Sequence, residues 1–496
     1  MPYGDGLSYR SRTGRWVIAA SVLGSGMVSI DATVVGIALP TIGREFHATV
    51  AQLQWVVNGY TLAVAALLLV GGSLGDRFGR RRLFTVGIAW FTVASVACAV
   101  APGAQALIAL RILQGVGGAL LTPGSLAILQ SSFREADRGA AIGAWTGLGG
   151  VASAVGPFLG GWLIAMASWR WIFVINLPVG LVVLLLAVRH VPDSKDPSAP
   201  ARVDVAGAAL VVVALAGVTY GLIEGPADGW QGAWPVVALV TGAVAAAAFV
   251  VVESRSSAPL LPLGLFRHRQ FAVTNAVTFV VYGALGGVLF LLPAVLQVLG
   301  HYTPLASGVA LLPLTLVMLL LSSMSGRVAT RIGPRLQMGV GPVVVGGGLA
   351  LLSRIGSDGS YVSGVLPAVL VFGLGLAITV APLTATALAA APEEHAGLAS
   401  AVNNDVARIG GLVAVAVLPA LSGISGSAYL HPAALAGGFR TATLVAGAWC
   451  VAGGVLGAVG IRNPSHTTPP PGTADHGAPA SLHHCGLDAP PPVTTR

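Results

Sequence analysis

Charge is scarce in this chain: only 9% of its 496 residues are Asp, Glu, Lys or Arg, and it holds just 3 cysteines. A soluble globular domain is roughly 25% charged, so that class is excluded. Three cysteines make no disulfide framework, since Cys98 and Cys450 fall in apolar stretches and Cys485 near the end. The polar links are short and lack clusters of His, Cys and carboxylate, so the chain offers nowhere to build a catalytic centre and reads as a non-enzyme without metal or cofactor. His483-His484-Cys485 has the right side chains for weak metal binding, but reads as plain tail.

What is abundant is apolar sequence, with 55% hydrophobic residues and a mean hydropathy of +0.83. Runs of about 20 apolar residues suit a hydrocarbon core roughly 30 Å thick. They recur near 16–40, 50–71, 83–103, 105–127, 140–166, 171–188, 205–224, 233–252, 271–298, 305–325, 337–355, 361–382, 398–423 and 438–461, which predicts an all-α membrane protein of fourteen spans. The first run follows Arg10, Arg12 and Arg15 as a secretory signal would. Its length, Asp31 and the lack of a small-residue cleavage site make it a retained span.

Basic residues alternate from link to link. With the amino terminus inside, twenty of the 26 Lys and Arg fall on inner segments; Arg44, Arg170, Arg354 and Arg440 fall on outer ones, and Arg111 and Arg408 lie within spans. The side that keeps positive charge is cytoplasmic, so both termini are expected there, in a multi-pass protein of the cytoplasmic membrane. The net charge of +8 is then a topology signal. Nucleic acid, which needs a continuous basic face, is not an expected partner; the lipid bilayer is.

The link Gly72-Ser73-Leu74-Gly75-Asp76-Arg77-Phe78-Gly79-Arg80-Arg81-Arg82 has a fainter copy 254 residues later, Gly326-Arg327-Val328-Ala329-Thr330-Arg331-Ile332-Gly333-Pro334-Arg335. The same offset carries Gly156 onto Gly410. One register therefore relates two six-helix bundles, with two spans inserted between them, and parallel repeats of this kind place a cavity near the midplane. The expected divisions are a cytoplasmic amino-terminal segment 1–15, a first bundle 16–190, a linker with two extra helices 191–255, a second bundle 256–462 and a disordered cytoplasmic tail 463–496.

Intramembrane charge marks the candidate site, because an ionisable group near the bilayer centre costs at least roughly 2.5–3.5 kcal/mol and needs a partner or water. Asp31 and Arg111 lie at depths of about 13 and 9 Å from the outer face, so they can meet if their helices are neighbours. A carboxylate changes its proton affinity when a guanidinium neighbour moves, which suits coupling to proton movement; a static ion pair is the plainer reading. Arg111 keeps its proton and would tune Asp31 or orient water. Asp405 and Arg408, three apart on one span, can satisfy each other, and that pairing is slightly favoured over a role for Asp405 in binding a substrate cation. Asn403, Asn404 and Asp405 form a polar cluster able to line a vestibule. Gln54 and Asn58 on span two, and Gln114 one turn from Arg111, suit helix contacts, with Asn58 and Gln114 also candidates for a cavity wall.

Span five carries Gly143, Gly156-Pro157 and Gly160-Gly161, which combines close helix approach with a proline bend. In the first link, Arg77, Arg80, Arg81 and Arg82 serve topology and headgroup anchoring. Asp76 runs against that charge rule and is expected to cap a helix end or to pair across the bundles in one conformation only; Thr330 in the second copy makes any such latch one-sided.

These motifs together resemble the major facilitator superfamily, and within it the fourteen-span drug:proton antiporters, over residues 16–461. Gly72-x-Leu74-Gly75-Asp76-Arg77-x-Gly79-Arg80-Arg81 is similar to the loop motif between spans two and three. Leu107-x-x-x-Arg111-x-x-Gln114-Gly115-x-Gly117-Gly118 resembles the span-four motif, and Gly143 through Gly156-Pro157-x-x-Gly160-Gly161 the antiporter motif. Ile30-Asp31-x-Thr33-Val34-Val35-Gly36-Ile37-Ala38-Leu39-Pro40 resembles the span-one motif of the group, with Gly36 where Asn is usual; Ala152 likewise stands at a usual Gly. The resemblance implies the major facilitator fold and export of small amphipathic substrates in exchange for protons, by a monomer. It assigns proton coupling to Asp31 and Arg111, cytoplasmic gating to the Asp76 loop, and the bend to Gly156 and Pro157. Asp405 matches only the position of an acid found in some multidrug pumps. A dedicated exporter of one metabolite, and more remotely a membrane sensor, are the competing readings.

Overall fold

The computed structural model describes residues 6–196, 204–256, 259–355, 360–390 and 396–463. The expected tail, with its His483-His484-Cys485 run, lies outside them. Among the described residues fourteen helices are long and apolar enough to cross a membrane: α1 Arg12–Phe46, α2 Val50–Phe78, α3 Arg80–Ala99, α4 Ala104–Ser132, α5 Glu135–Met166, α6 Trp171–His190, α7 Val205–Ala227, α8 Ala233–Arg255, α9 Arg269–Val298, α10 Pro304–Ile332, α11 Pro334–Leu352, α12 Tyr361–Ala389, α13 Ala396–Leu421 and α14 Pro432–Gly460. Helices suit the bilayer because they satisfy their own backbone. Polar side chains cap the starts: Ser11 accepts from Gly14 N, and Thr49 forms a reciprocal capping box with Gln52.

Packing repeats with the sequence register. In the first bundle α4 packs on α2 and α3, α5 on α1, and α6 on α1 and α3; in the second α12 packs on α10 and α11, α13 on α9, and α14 on α9 and α11. Gly156 lies against Thr33 and the Ile30 carbonyl of α1, and Gly410 against the Phe279 carbonyl of α9. A Cβ at either position would strike the neighbouring helix, so the repeated glycine sets the helix separation in both halves. The inserted pair α7 and α8 forms its own hairpin, and α7 lies along the seam between α2 and α13, where the Trp55 indole donates to Glu224 Oε1 at 2.7 Å. The observed architecture is thus an all-α fold of two six-helix bundles plus two inserted helices.

Both Gly/Arg links turn on a left-handed glycine at the same repeat position, Gly79 with φ 115° and Gly333 with φ 82°. Their amides donate to Gly75 O and Ala329 O, closing α2 and α10 before the chain reverses.

Candidate functional site

The two bundles meet around a cavity of about 390 Å³. Its walls come from α1, α2 and α5 on one side and α9, α10 and α13 on the other. Small residues make the space: Gly36 and Pro157 face Gly286 and Gly411 across it. Gly36, at the position in the span-one motif where Asn is usual, adds no polar side chain to that stretch of wall.

Beside this cavity, and sealed from it by packing, lies the buried charge cluster. Asp31 and Arg111 are each 1% exposed and Gln114 is fully buried. Arg111 Nη1 donates to Asp31 Oδ2 and, at 2.6 Å, to Gln114 Oε1, while Gln114 Nε2 donates to Asp31 Oδ1 at 2.8 Å. Arg111 Nε donates to Val56 O at 3.1 Å, and the guanidinium lies 4.3 Å from the Tyr60 ring centroid. Two α4 side chains thereby hold the α1 carboxylate, and α2 holds the guanidinium. A buried ion pair persists only when its remaining donors and acceptors are met, and here they are met by an amide, a carbonyl and a π face. Asp31 sits next to Ala32 and Thr33, which line the cavity, so a change in its partners acts directly on the cavity wall.

Of the residues expected to line a cavity, Asn58 and Asn404 do so. Gln114 does not, because its amide is committed to Asp31 and Arg111. Asp405 is absent from the lining as well, and no ion pair joins it to Arg408: its Oδ1 is buried without a hydrogen bond, whereas Arg408 lines the cavity. The expected intrahelical pairing is therefore corrected. The short carboxylate stays within the packing, while the longer arginine carries its charge to the polar space. Asn403 turns to α9, donating to Asn275 Oδ1 and Thr278 Oγ1.

In the first link, Asp76 accepts from Arg80 at 2.8 Å. It does not cap α3, whose start has no side-chain cap, and in this conformation it does not cross to the second bundle. A partner four residues away on the same turn meets the carboxylate first. Gly72 makes only ordinary contact with Pro123, and Arg77 lies against the Phe78 ring. Asp193, after α6, holds the neighbouring arginines, at 3.4 Å from Arg82 and 4.0 Å from Arg81.

The span-five motif forms a two-sided seam. Gly156 and Gly160 face α1 through Thr33 and Val34; Gly161 and Pro157 face α10, where Gly161 approaches Pro304 and Leu305, and Gly308 approaches the Pro157 carbonyl. Gly143 has nothing within 4 Å. Hydrogen bonds between the bundles, among the described residues, gather toward the α1–α2 turn: Gln54 to Val415 O and Ala416 O, Asn58 to Leu412 O, Gln297 to Ile37 O, Tyr429 to Ala48 O and Val50 N to Gly426 O. Toward the opposite end, the first half of α5 is largely unpacked. The inter-bundle hydrogen bonds thus lie at one end of the cavity, and the exposed half of α5 lies toward the end carrying the Gly/Arg links.

Sequence reasoning missed Tyr60, Tyr282, Gln297 and the α10 side of the seam. Each is a lone residue on an apolar helix, and only an Asn, Gln or Tyr facing a neighbouring bundle distinguishes it from ordinary core.

Residues 21–415 match the Major Facilitator Superfamily. The chain is 37% identical over 423 residues to "Multidrug resistance protein Stp" of Mycobacterium tuberculosis (strain CDC 1551 / Oshkosh), covering 85% of this chain and 78% of that one. It is 37% identical over 405 residues to "Tetracenomycin C resistance and export protein" of Streptomyces glaucescens, covering 82% and 75%. It is 35% identical over 425 residues to "Methylenomycin A resistance protein" of Bacillus subtilis (strain 168), covering 84% and 90%. The fold is also that of a bacterial homolog to the human lysosomal transporter Spinster in an inward-facing, unoccupied conformation, with a TM-score of 0.65 at 17% identity over 91% of this chain and 97% of that one. With this fold, this repeat and these relatives, the chain belongs to the major facilitator superfamily of membrane transporters.

Proposed function

We propose that the protein is a proton-coupled secondary transporter that exports amphipathic drugs or antibiotics across the cytoplasmic membrane by alternating access, as a monomer with both termini in the cytoplasm. The observation that carries this reading is the Asp31, Arg111 and Gln114 cluster, buried against the wall of a cavity that both bundles share. Relatives named for drug resistance and export support the choice of cargo and direction. Several are named for a single antibiotic, which favours a narrow substrate range as the second reading.

In this mechanism a proton arriving from outside neutralises Asp31 and dissolves its ion pair. Arg111 then keeps its bonds to Gln114 and Val56 O, and α1 is freed to shift against α5. The Gly156 and Gly160 seam lets that shift occur without dragging bulky side chains past one another, and Pro157 lets α5 bend beside the cavity. Residues 16–190 and 256–462 are the two rocking bodies, and 191–255 bridges them. In this reading the basic links lie on the cytoplasmic side, and cargo enters from inside at the end of the cavity away from the inter-bundle hydrogen bonds.

Inverted membrane vesicles acidified inside should accumulate a lipophilic fluorescent dye, and an uncoupler should stop them. Asp31→Asn should abolish uptake while the protein remains in the membrane. Undiminished uptake by that variant would sink the assignment of Asp31.

A further inference from the structure

Among the residues lining the cavity one is charged, and it is a cation, Arg408. We propose that the cavity selects amphipathic anions, binding a carboxylate, phenolate or sulfonate at the Arg408 guanidinium while the flat apolar body of the ligand lies against the α1 and α9 walls. This rests on the transporter reading above and gives it a substrate class.

The two intramembrane arginines differ in what they hold. Arg111 is occupied by Asp31, Gln114 and Val56 O. Arg408 has no hydrogen bond or ion pair among the described residues, although an acid lies one turn away. That acid, Asp405, is 7% exposed and outside the lining, so it cannot receive a bound cation without rearrangement. A guanidinium in a largely apolar cavity is stabilised by an anion that it can grip with two parallel N–H donors.

The remaining polar groups bear on the same choice. Asn58 and Asn404 each use one amide N–H, on Leu412 O and Ser400 O, which leaves a second N–H and the amide oxygen on each. Thr33 and Thr61 spend their hydroxyl hydrogens on carbonyls of their own helices. Tyr282 lines the cavity with a hydroxyl that makes no hydrogen bond among the described residues, which leaves a further donor. The unspent donors thus suit an anion, whereas a cation would meet like charge. The volume of about 390 Å³ falls within the roughly 300–1,000 Å³ of small-molecule sites.

Fluorescein and rhodamine 123 share a xanthene ring and carry opposite charge at neutral pH. Each should be titrated with the purified full-length protein in detergent, reading fluorescence polarisation. Fluorescein should bind about tenfold more tightly or better. Arg408→Gln should weaken fluorescein by a similar factor and leave rhodamine 123 unchanged or tighter; Arg408→Lys should retain part of the preference. Asp405→Asn, which removes the nearby acid, should tighten fluorescein binding. Equal or better binding of rhodamine 123, binding of neither dye, or a folded Arg408→Gln with unchanged fluorescein affinity would each overturn the proposal. If Arg408→Gln does not elute as a folded species, unchanged affinity in both Arg408→Lys and Asp405→Asn overturns it. Fluorescein binding without uptake into energised inverted vesicles would count against the exporter reading alone. Uptake of fluorescein untouched by Arg408→Gln would count against the anion site alone.

Discussion

In the first Gly/Arg link Arg81 donates to Val191 O, and in the second Arg335 donates to Ala458 O, so each copy reaches the end of the last helix of its own bundle. Both turn on a left-handed glycine, and in the first the described acids join it: Asp76 on Arg80, and Asp193 on Arg81 and Arg82. The buried charge is divided as unequally. Asp31 and Arg111 have Leu285 and Val365 as repeat counterparts, while the second bundle carries at the cavity an arginine without a hydrogen bond or ion pair among the described residues. The repeat therefore preserved the backbone and the helix spacing. Among the described residues the buried ion pair lies in the first half and the cavity arginine in the second.

The largest test of this asymmetry is Arg111→Leu, which strands Asp31 without its cation. Breaking a buried pair costs about 3–5 kcal/mol, so the thermal midpoint in detergent should fall steeply and uptake should vanish. Val365→Leu, at the counterpart position, should cost less than about 1.5 kcal/mol. Similar losses at both positions would break the comparison. Next is Gly156→Val, whose side chain meets Thr33 and the Ile30 carbonyl; overpacking should cost roughly 1–3 kcal/mol and slow transport more than it lowers dye binding. Gly143→Ala, in open space on the same helix, should change stability by no more than about 0.5 kcal/mol. Asp193→Ala should have a smaller effect than the seam variant, about 0–1 kcal/mol, because its pairs are partly solvated. It should still raise hydrogen exchange at 79–83 without touching 333–336, and equal exchange in both links would show that Asp193 does not distinguish them.

Much of the architecture was legible beforehand because spanning a bilayer imposes length and apolarity on each helix separately. All fourteen spans could be counted that way, although α14 starts earlier than its apolar run suggests, at Pro432. The meeting of Asp31 with Arg111 was open to inference from depth alone. The partners of Asp76 and Asp405 were not, since each had a candidate within one turn and periodicity does not say which way a side chain leaves its helix. Asp76 took its neighbour and Asp405 did not.

By itself, the sequence determined the membrane, the number of helices, the repeat and the residues too polar to be there without a purpose. These follow from local composition, which the bilayer reads helix by helix. Only the tertiary structure decided that Gln114 completes the Asp31 site, that α5 packs between α1 and α10, and that Arg408 faces the cavity while Asp405 does not. Those outcomes depend on the rotation and crossing of helices distant in the chain, which steric fit among many neighbours sets together.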